Sequence, residues 1–176
     1  MVLKKLSLIF VGFAHCLFGA LRAGGTPSPP EREEVLNIVL IQLGAWATGD
    51  REAFLATLHP DVVFAWPGKR LDLKEVTQAF DEWLEAFEDA TFLLHKAVIE
   101  ENNFAIEYRF SSTRRSNGKR HSTGTVAIGF VEDGKIRVIK EYLDGRVSRL
   151  QEAGELPLDE GKEPFPWPNN PESQVP

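Results

Sequence analysis

Glu141 and Asp144 stand three residues apart near the end of the last stretch of the chain that alternates apolar and polar residues. A carboxylate held in apolar surroundings has a raised pKa and can exchange protons near neutrality. These two are the candidate catalytic groups, with His121 and His95 as further titratable side chains. Each also has a plainer reading. Asp144 precedes Gly145, and Asp-Gly at a strand end makes a turn without chemistry. Glu141 adjoins Tyr142, so only one of them can face an interior. Ile136, Val138, Lys140, Tyr142 and Asp144 share one strand parity, and Arg137, Ile139, Glu141 and Leu143 share the other. Both sets are mixed, which leaves the face open. His121 closes the basic run from Arg114, which can hold an anion or simply protect a hairpin tip against edge pairing. His95 alternates with Leu94 and Lys96 as a surface-facing strand residue. The histidines show no metal-ligand spacing, and no phosphate-binding glycine loop or Ser-His-Asp arrangement stands out. Neither a metal nor a cofactor is expected.

Around these groups, Trp46, Trp66, Trp83, Tyr108, Phe110, Phe130 and Tyr142 are the aromatic side chains fit to line a cavity for a small apolar molecule. Their alternative is ordinary core. The elements that must position them are readable. An apolar helix through Val35, Val39, Leu43 and Trp46 stops at Gly49-Asp50, where Asp50 caps a short second helix ended by His59-Pro60-Asp61. Val62 to Trp66 reads as a strand closed by Pro67-Gly68. Asp72 and Glu75 form a capping box ahead of a helix carrying Val76, Phe80, Trp83 and Phe87. Four strands follow, over about 91–100, 103–114, 119–131 and 135–144, hinged at Glu101-Asn102-Asn103, Ser116-Asn117-Gly118 and Asp133-Gly134. Phe104, Ile106, Tyr108 and Phe110 share one face of the second, and Val126, Ile128 and Phe130 share one face of the third.

The ends have a different character. Lys4-Lys5, a short apolar run and the small residues Ala23-Gly24-Gly25 predict that residues 1–25 are a secretory signal, with a membrane-anchoring helix as the alternative. The protein is then secreted or periplasmic, and it meets the membrane only transiently through that segment. Cys16, the single cysteine, lies within it. The linker to Pro30 leads into the first helix, and residues 151–176, rich in proline and acidic residues, read as an extended or disordered tail. A net charge of -6 speaks against nucleic acid as a partner, because phosphate binding needs a basic footprint.

The order of helix, Gly49-Asp50, helix, Pro60-Asp61-Val62-Val63-Phe64-Ala65-Trp66-Pro67-Gly68, long helix and a four-strand meander with Asp133-Gly134-Lys135-Ile136 and Glu141-Tyr142-Leu143-Asp144 resembles the nuclear transport factor 2-like superfamily. Within it, residues 31–150 look most like the SnoaL-like and ketosteroid-isomerase-like branch. The resemblance implies an α+β cone: a curved, mixed, largely antiparallel sheet wrapped against three N-terminal helices around a pocket. Such a fold hosts enzymes, ligand carriers and assembly modules alike. By resemblance, the ketosteroid isomerase groups fall at Gln42, Trp66 and Val126, none of which supplies the chemistry, so that mechanism is not expected. The acid of limonene-epoxide-hydrolase-like enzymes is matched by Asp144, but Glu107-Tyr108-Arg109-Phe110 lacks their Arg-x-Asp pair in register. SnoaL-type cyclases need chiefly one acid/base in an apolar cavity, which implies Asp144 first and Glu141, His121 and His95 after it. The expected function is binding of a small apolar molecule with cyclase- or isomerase-type proton chemistry; the alternative is a non-catalytic dimerising or carrier module. By the same resemblance, a half-polar outer sheet face, with Glu107, Arg109, Thr123 and Thr125 among apolar neighbours, suits a homodimer.

Overall fold

The computed structural model describes residues 32–158 and 160. The expected signal at residues 1–25, the Pro27–Pro30 lead and the tail beyond residue 160 lie outside the described residues. Helices α1 (Arg32–Thr48) and α2 (Arg51–Ala56) come first, then strands β1 (Leu58–Trp66) and β2 (Lys69–Leu71). Helix α3 (Leu73–Ala86) precedes the long strands β3 (Phe87–Glu100), β4 (Asn103–Arg114), β5 (Lys119–Glu132) and β6 (Lys135–Leu143), and α4 (Gly145–Ala153) closes the order. One six-stranded sheet runs β2-β1-β6-β5-β4-β3. Its β1–β6 pair is parallel and every other pair is antiparallel. This is the expected mixed α+β cone.

Local chemistry sets the helix boundaries. Gly49, at φ 73, ends α1 in a conformation that a side chain resists. Asp50 then accepts a 2.9 Å hydrogen bond from Ala53 N, and Asp72 and Glu75 close a reciprocal capping box over α3 at 2.8 and 3.0 Å. Asp133 and Gly134 both take positive φ, which gives the β5–β6 hairpin a turn that matches its twist. Val35 and Val39 of α1, Phe54 of α2, Phe80 of α3 and Phe64 of β1 are fully buried against Phe104, Ile106 and Ile139 of the sheet. The Phe54 and Phe80 rings stack at 4.2 Å.

Three features that bear on the site differ from expectation. β1 already begins at Leu58, running through His59-Pro60-Asp61 as an irregular stretch whose register against β6 shifts between Leu58 and Val63. Proline is tolerated there because no regular ladder asks for its missing N–H. The predicted tail also starts too early, since residues 145–153 form α4. Asp144 caps that helix by accepting from Arg146 N at 2.9 Å, and Gly154 ends it at φ 77. β6 ends at Leu143, leaving the β5 edge beyond Thr125 without a strand partner on that side among the described residues. Gln151 takes the strand's place: its Oε1 accepts from Ser122 N at 2.7 Å and its Nε2 donates to Ser122 O at 3.1 Å.

The third difference is the way β5 faces. Its register places His121, Thr123, Thr125 and Ala127 with Phe110, Tyr108 and Ile106 on the inner face. Val126, Ile128 and Phe130 therefore lie on the outer face, the reverse of a simple apolar-in pattern. Ile128 is 45% exposed, and Val98 and Tyr142 on the same outer face are 53% and 56% exposed.

Gln42 is fully buried in α1, and neither of its amide atoms has a hydrogen-bond partner among the described residues. An amide buried in this way costs roughly 1–3 kcal/mol. Gln42→Leu, which keeps the volume and removes the polarity, is expected to raise stability by about 1–2 kcal/mol in chemical denaturation. A loss of stability would mean that the amide is satisfied in the folded molecule.

Candidate functional site

Helices α1 and α3 stand off the inner face of the sheet and leave a cavity of about 490 Å³. Leu43 and Trp46 of α1 and Ala79, Trp83 and Ala86 of α3 form one wall. Trp83 meets Trp46 edge-on at 5.7 Å, stacks on Phe87 at 5.5 Å and leans on Phe110 at 5.6 Å, so this wall is largely aromatic. Tyr108, His121, Thr123, Thr125, Glu141 and Leu143 line the sheet side, and Ser148 of α4 reaches in from the end. Trp66 and the exposed Lys69 and Glu82 stand at the rim. An apolar slot with a few converging polar groups on one wall is the usual form of a small-molecule site.

The two groups best placed for chemistry face each other across adjacent inner-facing positions. Tyr108 Oη donates a 2.8 Å hydrogen bond to Glu141 Oε1. Burial pushes the Glu141 carboxyl from its ordinary 4.5 up to about 7, with the Tyr108 hydrogen bond pulling the other way. The Tyr108 phenol is pushed well above its ordinary value, first by burial and then by the Glu141 charge. Tyr108 thus stays a donor at neutral pH, while Glu141 divides between acid and carboxylate. A proton can leave or arrive at such a carboxyl at little cost in either direction.

His121 sits farther along the same wall. Its Nε2 pairs with Ser112 Oγ at 3.2 Å, and its Nδ1 lies 3.4 Å from Glu152 Oε1 without the alignment of a hydrogen bond. Burial lowers the imidazole pKa, and Glu152 only partly opposes it. Glu152 is itself held below the usual carboxylate range by the Arg114 guanidinium, which bonds it at 3.1 Å and lies 4.7 Å over the Phe87 ring. The order Ser112, His121, Glu152 imitates a nucleophile–base–acid chain. Ser112 is fully buried, however, and does not line the cavity, so it presents no nucleophile to a ligand.

The structure brings together seven of the eleven residues singled out from the sequence: Glu141, His121, Trp46, Trp66, Trp83, Tyr108 and Phe110 all line the cavity. Asp144 does not. It is exposed and spends a carboxylate oxygen on capping α4, so the acid at the strand end is a helix cap outside the cavity. Phe130 and Tyr142 point away as well, on the outer sheet face. His95 is no lining residue either. The sequence reading missed Thr123, Thr125 and Ser148. The two threonines were assigned to an outer face, although they share strand parity with His121. Among the described residues, no group of three or more His, Cys, Asp or Glu side chains is arranged to hold a metal ion.

Comparison with known proteins gives a consistent picture. The family model described as a SnoaL-like domain matches residues 41–139. An LEH-like epoxide hydrolase from M. tuberculosis superposes with a TM-score of 0.63 at 17% identity, covering 72% of this chain and 94% of that one. A protein with a ketosteroid isomerase-like fold from Catenulispora acidiphila, solved with trimethylamine, gives 0.61 at 14% identity, covering 69% and 95%. A proposed polyketide cyclase from Xanthomonas campestris gives 0.61 at 20% identity, covering 70% and 99%. No curated protein matches the chain. At these identities the structural likeness speaks for the fold alone.

Proposed function

We propose, from the premise that this chain belongs to the SnoaL-like domain family, that its cavity binds a small, flat, apolar molecule and that Glu141 exchanges a proton with it. The observation that carries this reading is the 2.8 Å Tyr108–Glu141 pair inside an aromatic cavity, with the carboxyl pushed up to about 7. The proteins of this fold named above as an epoxide hydrolase and a proposed polyketide cyclase make small-molecule chemistry a natural use for such a cavity. A ketone is the simplest substrate class. Glu141 as carboxylate takes a hydrogen from the carbon next to the carbonyl, the electron pair moves onto the carbonyl oxygen as an enolate, and Glu141 then returns the proton to the same or another carbon. Such a step is the core of an isomerisation, and of a ring closure when the enolate carbon attacks a second carbonyl and Glu141 gives its proton to the alkoxide that forms.

Trp46, Trp66 and Trp83 line the cavity, so occupation of the site changes intrinsic fluorescence. Titration with 2-tetralone, a flat two-ring ketone, is expected to quench that fluorescence and raise the melting temperature. Exchange of its α-hydrogens with heavy water, followed by proton NMR, is expected to run faster with the protein than without it. Failure of a mixed hydrophobic library to shift the melting temperature at all would overturn the reading.

A second reading, of a dimerising module, rests on the outer sheet face. Leu93, Val98, Ile128 and Tyr142 expose 40–56% of their surface there, an apolar patch on strands that also carry Lys96 and Lys140. We infer that two copies pair through this face, a role compatible with ligand binding on the other side of the sheet. Sedimentation of wild type and Ile128→Lys is expected to give dimer and monomer respectively. A wild type that stays monomeric at micromolar concentrations would exclude the pairing.

A further inference from the structure

The inner face of β5 carries hydroxyls that the Glu141–Tyr108 pair does not use. Thr125 lines the cavity at 5% exposure, and no hydrogen bond engages its hydroxyl among the described residues. Two residues along the strand, Thr123 is 6% exposed, and its Oγ1 lies 2.9 Å from Ser148 Oγ, a side chain supplied by α4. Whichever of these two hydroxyls donates to the other, one proton of the pair is left without an acceptor among the described residues. Hydroxyls facing an otherwise apolar cavity need a partner, since each unsatisfied one costs free energy when the cavity fills with an apolar body.

Glu141 lies opposite Ala127, and Tyr108 lies opposite Thr125, so Thr123 is two to four residues farther along the strand. At a rise of about 3.4 Å per residue, that is about 7–14 Å from the acid/base pair. His121 does not compete for the same ligand atom, because Ser112 occupies its Nε2 and Glu152 faces its Nδ1. Ser148 is held in place by its neighbours on α4: Gln151 pins the helix to the backbone of Ser122, and Glu152 ties it to Arg114.

We propose that Thr123 and Ser148 form a second hydrogen-bonding station, so that the cavity selects an elongated ligand oxygenated at both ends. One end meets Glu141 and Tyr108, and the far end meets the Thr123–Ser148 pair. Helix α4, which lies beyond the 41–139 match to the family model, is then the element that reads the far end. This inference rests on the reading of the cavity as a small-molecule site and adds the ligand's second polar group.

The probes are 2-hydroxyanthraquinone and 2,6-dihydroxyanthraquinone, three-ring plates that differ by one hydroxyl at the far end. Both are titrated into the full chain at about pH 6, where the hydroxyls are largely protonated, and binding is followed by tryptophan quenching. One net hydrogen bond predicts that wild type prefers the dihydroxy compound by roughly three- to tenfold. In Thr123→Val/Ser148→Ala, which removes both partners and so orphans neither, the preference is expected to fall to within about twofold. A wild type without the preference overturns the station, and so does a double variant that retains it. Should the double variant not fold, the wild-type ratio decides alone. If neither compound quenches, this inference fails, and the small-molecule reading falls with it only if the mixed library also leaves the melting temperature unchanged; quenching by both at equal strength removes the second station only.

Discussion

Glu141→Gln is expected to make the folded domain more stable above neutral pH and to leave it unchanged in acid. The folded-state pKa of about 7 lies above the ordinary 4.5, so the native protein holds a proton that the unfolded chain releases between those values. The stability linked to this proton is fully present below pH 4.5, declines as pH rises, and is gone above about 7. At 1.36 kcal/mol per unit, the wild type forfeits about 3 kcal/mol across that window. Glutamine carries no charge at any of these pH values and can still accept from Tyr108, so the variant keeps what the wild type loses. Denaturation at about pH 4 and about pH 8 should therefore give ΔΔG values near zero and about 3 kcal/mol. The same substitution removes the proton acceptor, and acceleration of 2-tetralone exchange should drop by about 10²- to 10⁴-fold. An equal stability change at both pH values would place Glu141 in solvent. An undiminished exchange rate would move the chemistry to another residue.

The largest purely structural loss is expected at Gly129. A Cβ there would lie 1.9 Å from Val138 O and 2.7 Å from Phe104 Cζ. The carbonyl belongs to the neighbouring strand, so relief requires β5 and β6 to part where their ladder passes Ile139. Gly129→Ala should cost about 3 kcal/mol or more, or prevent folding outright. Gly44 provides the contrast. It lies inside α1 with nothing among the described residues within 4 Å of a Cβ, and Gly44→Ala should add up to about 1 kcal/mol through helix propensity. Equal effects at the two sites would mean that β5 and β6 lie farther apart at Gly129 than the 1.9 Å approach to Val138 O implies.

The features legible from sequence are those that local chemistry decides. Gly49-Asp50, the Asp72–Glu75 capping box and the Asp133-Gly134 turn each work within four residues, and each was read correctly. The facing of β6 was not legible, for a specific reason. Phe130 pairs with Val138 but Val131 with Ile136, so the register slips by one residue at Arg137. Ile136 and Ile139 are both fully buried although their parities differ. A strand that changes faces midway has two mixed parity sets, and only its pairing with β5 shows that Glu141 faces inward. Thr123 and Thr125 misled in another way. Polar residues were assigned to the outside, but a ligand cavity inverts that rule and leaves Ile128 exposed behind it. Asp144 was drawn toward catalysis by resemblance. Its Asp-Gly sequence was the better guide, since the pair opens α4.

One titration tests the chemistry of Glu141 most directly. With glutamate side-chain carboxyls labelled with ¹³C, and the Glu141 resonance identified by its loss in Glu141→Gln, the chemical shift followed against pH gives the pKa directly. A midpoint of about 7 is the predicted result. A midpoint at the ordinary 4.5 would contradict it, because Glu141 would then be a solvated anion with no proton to exchange near neutrality.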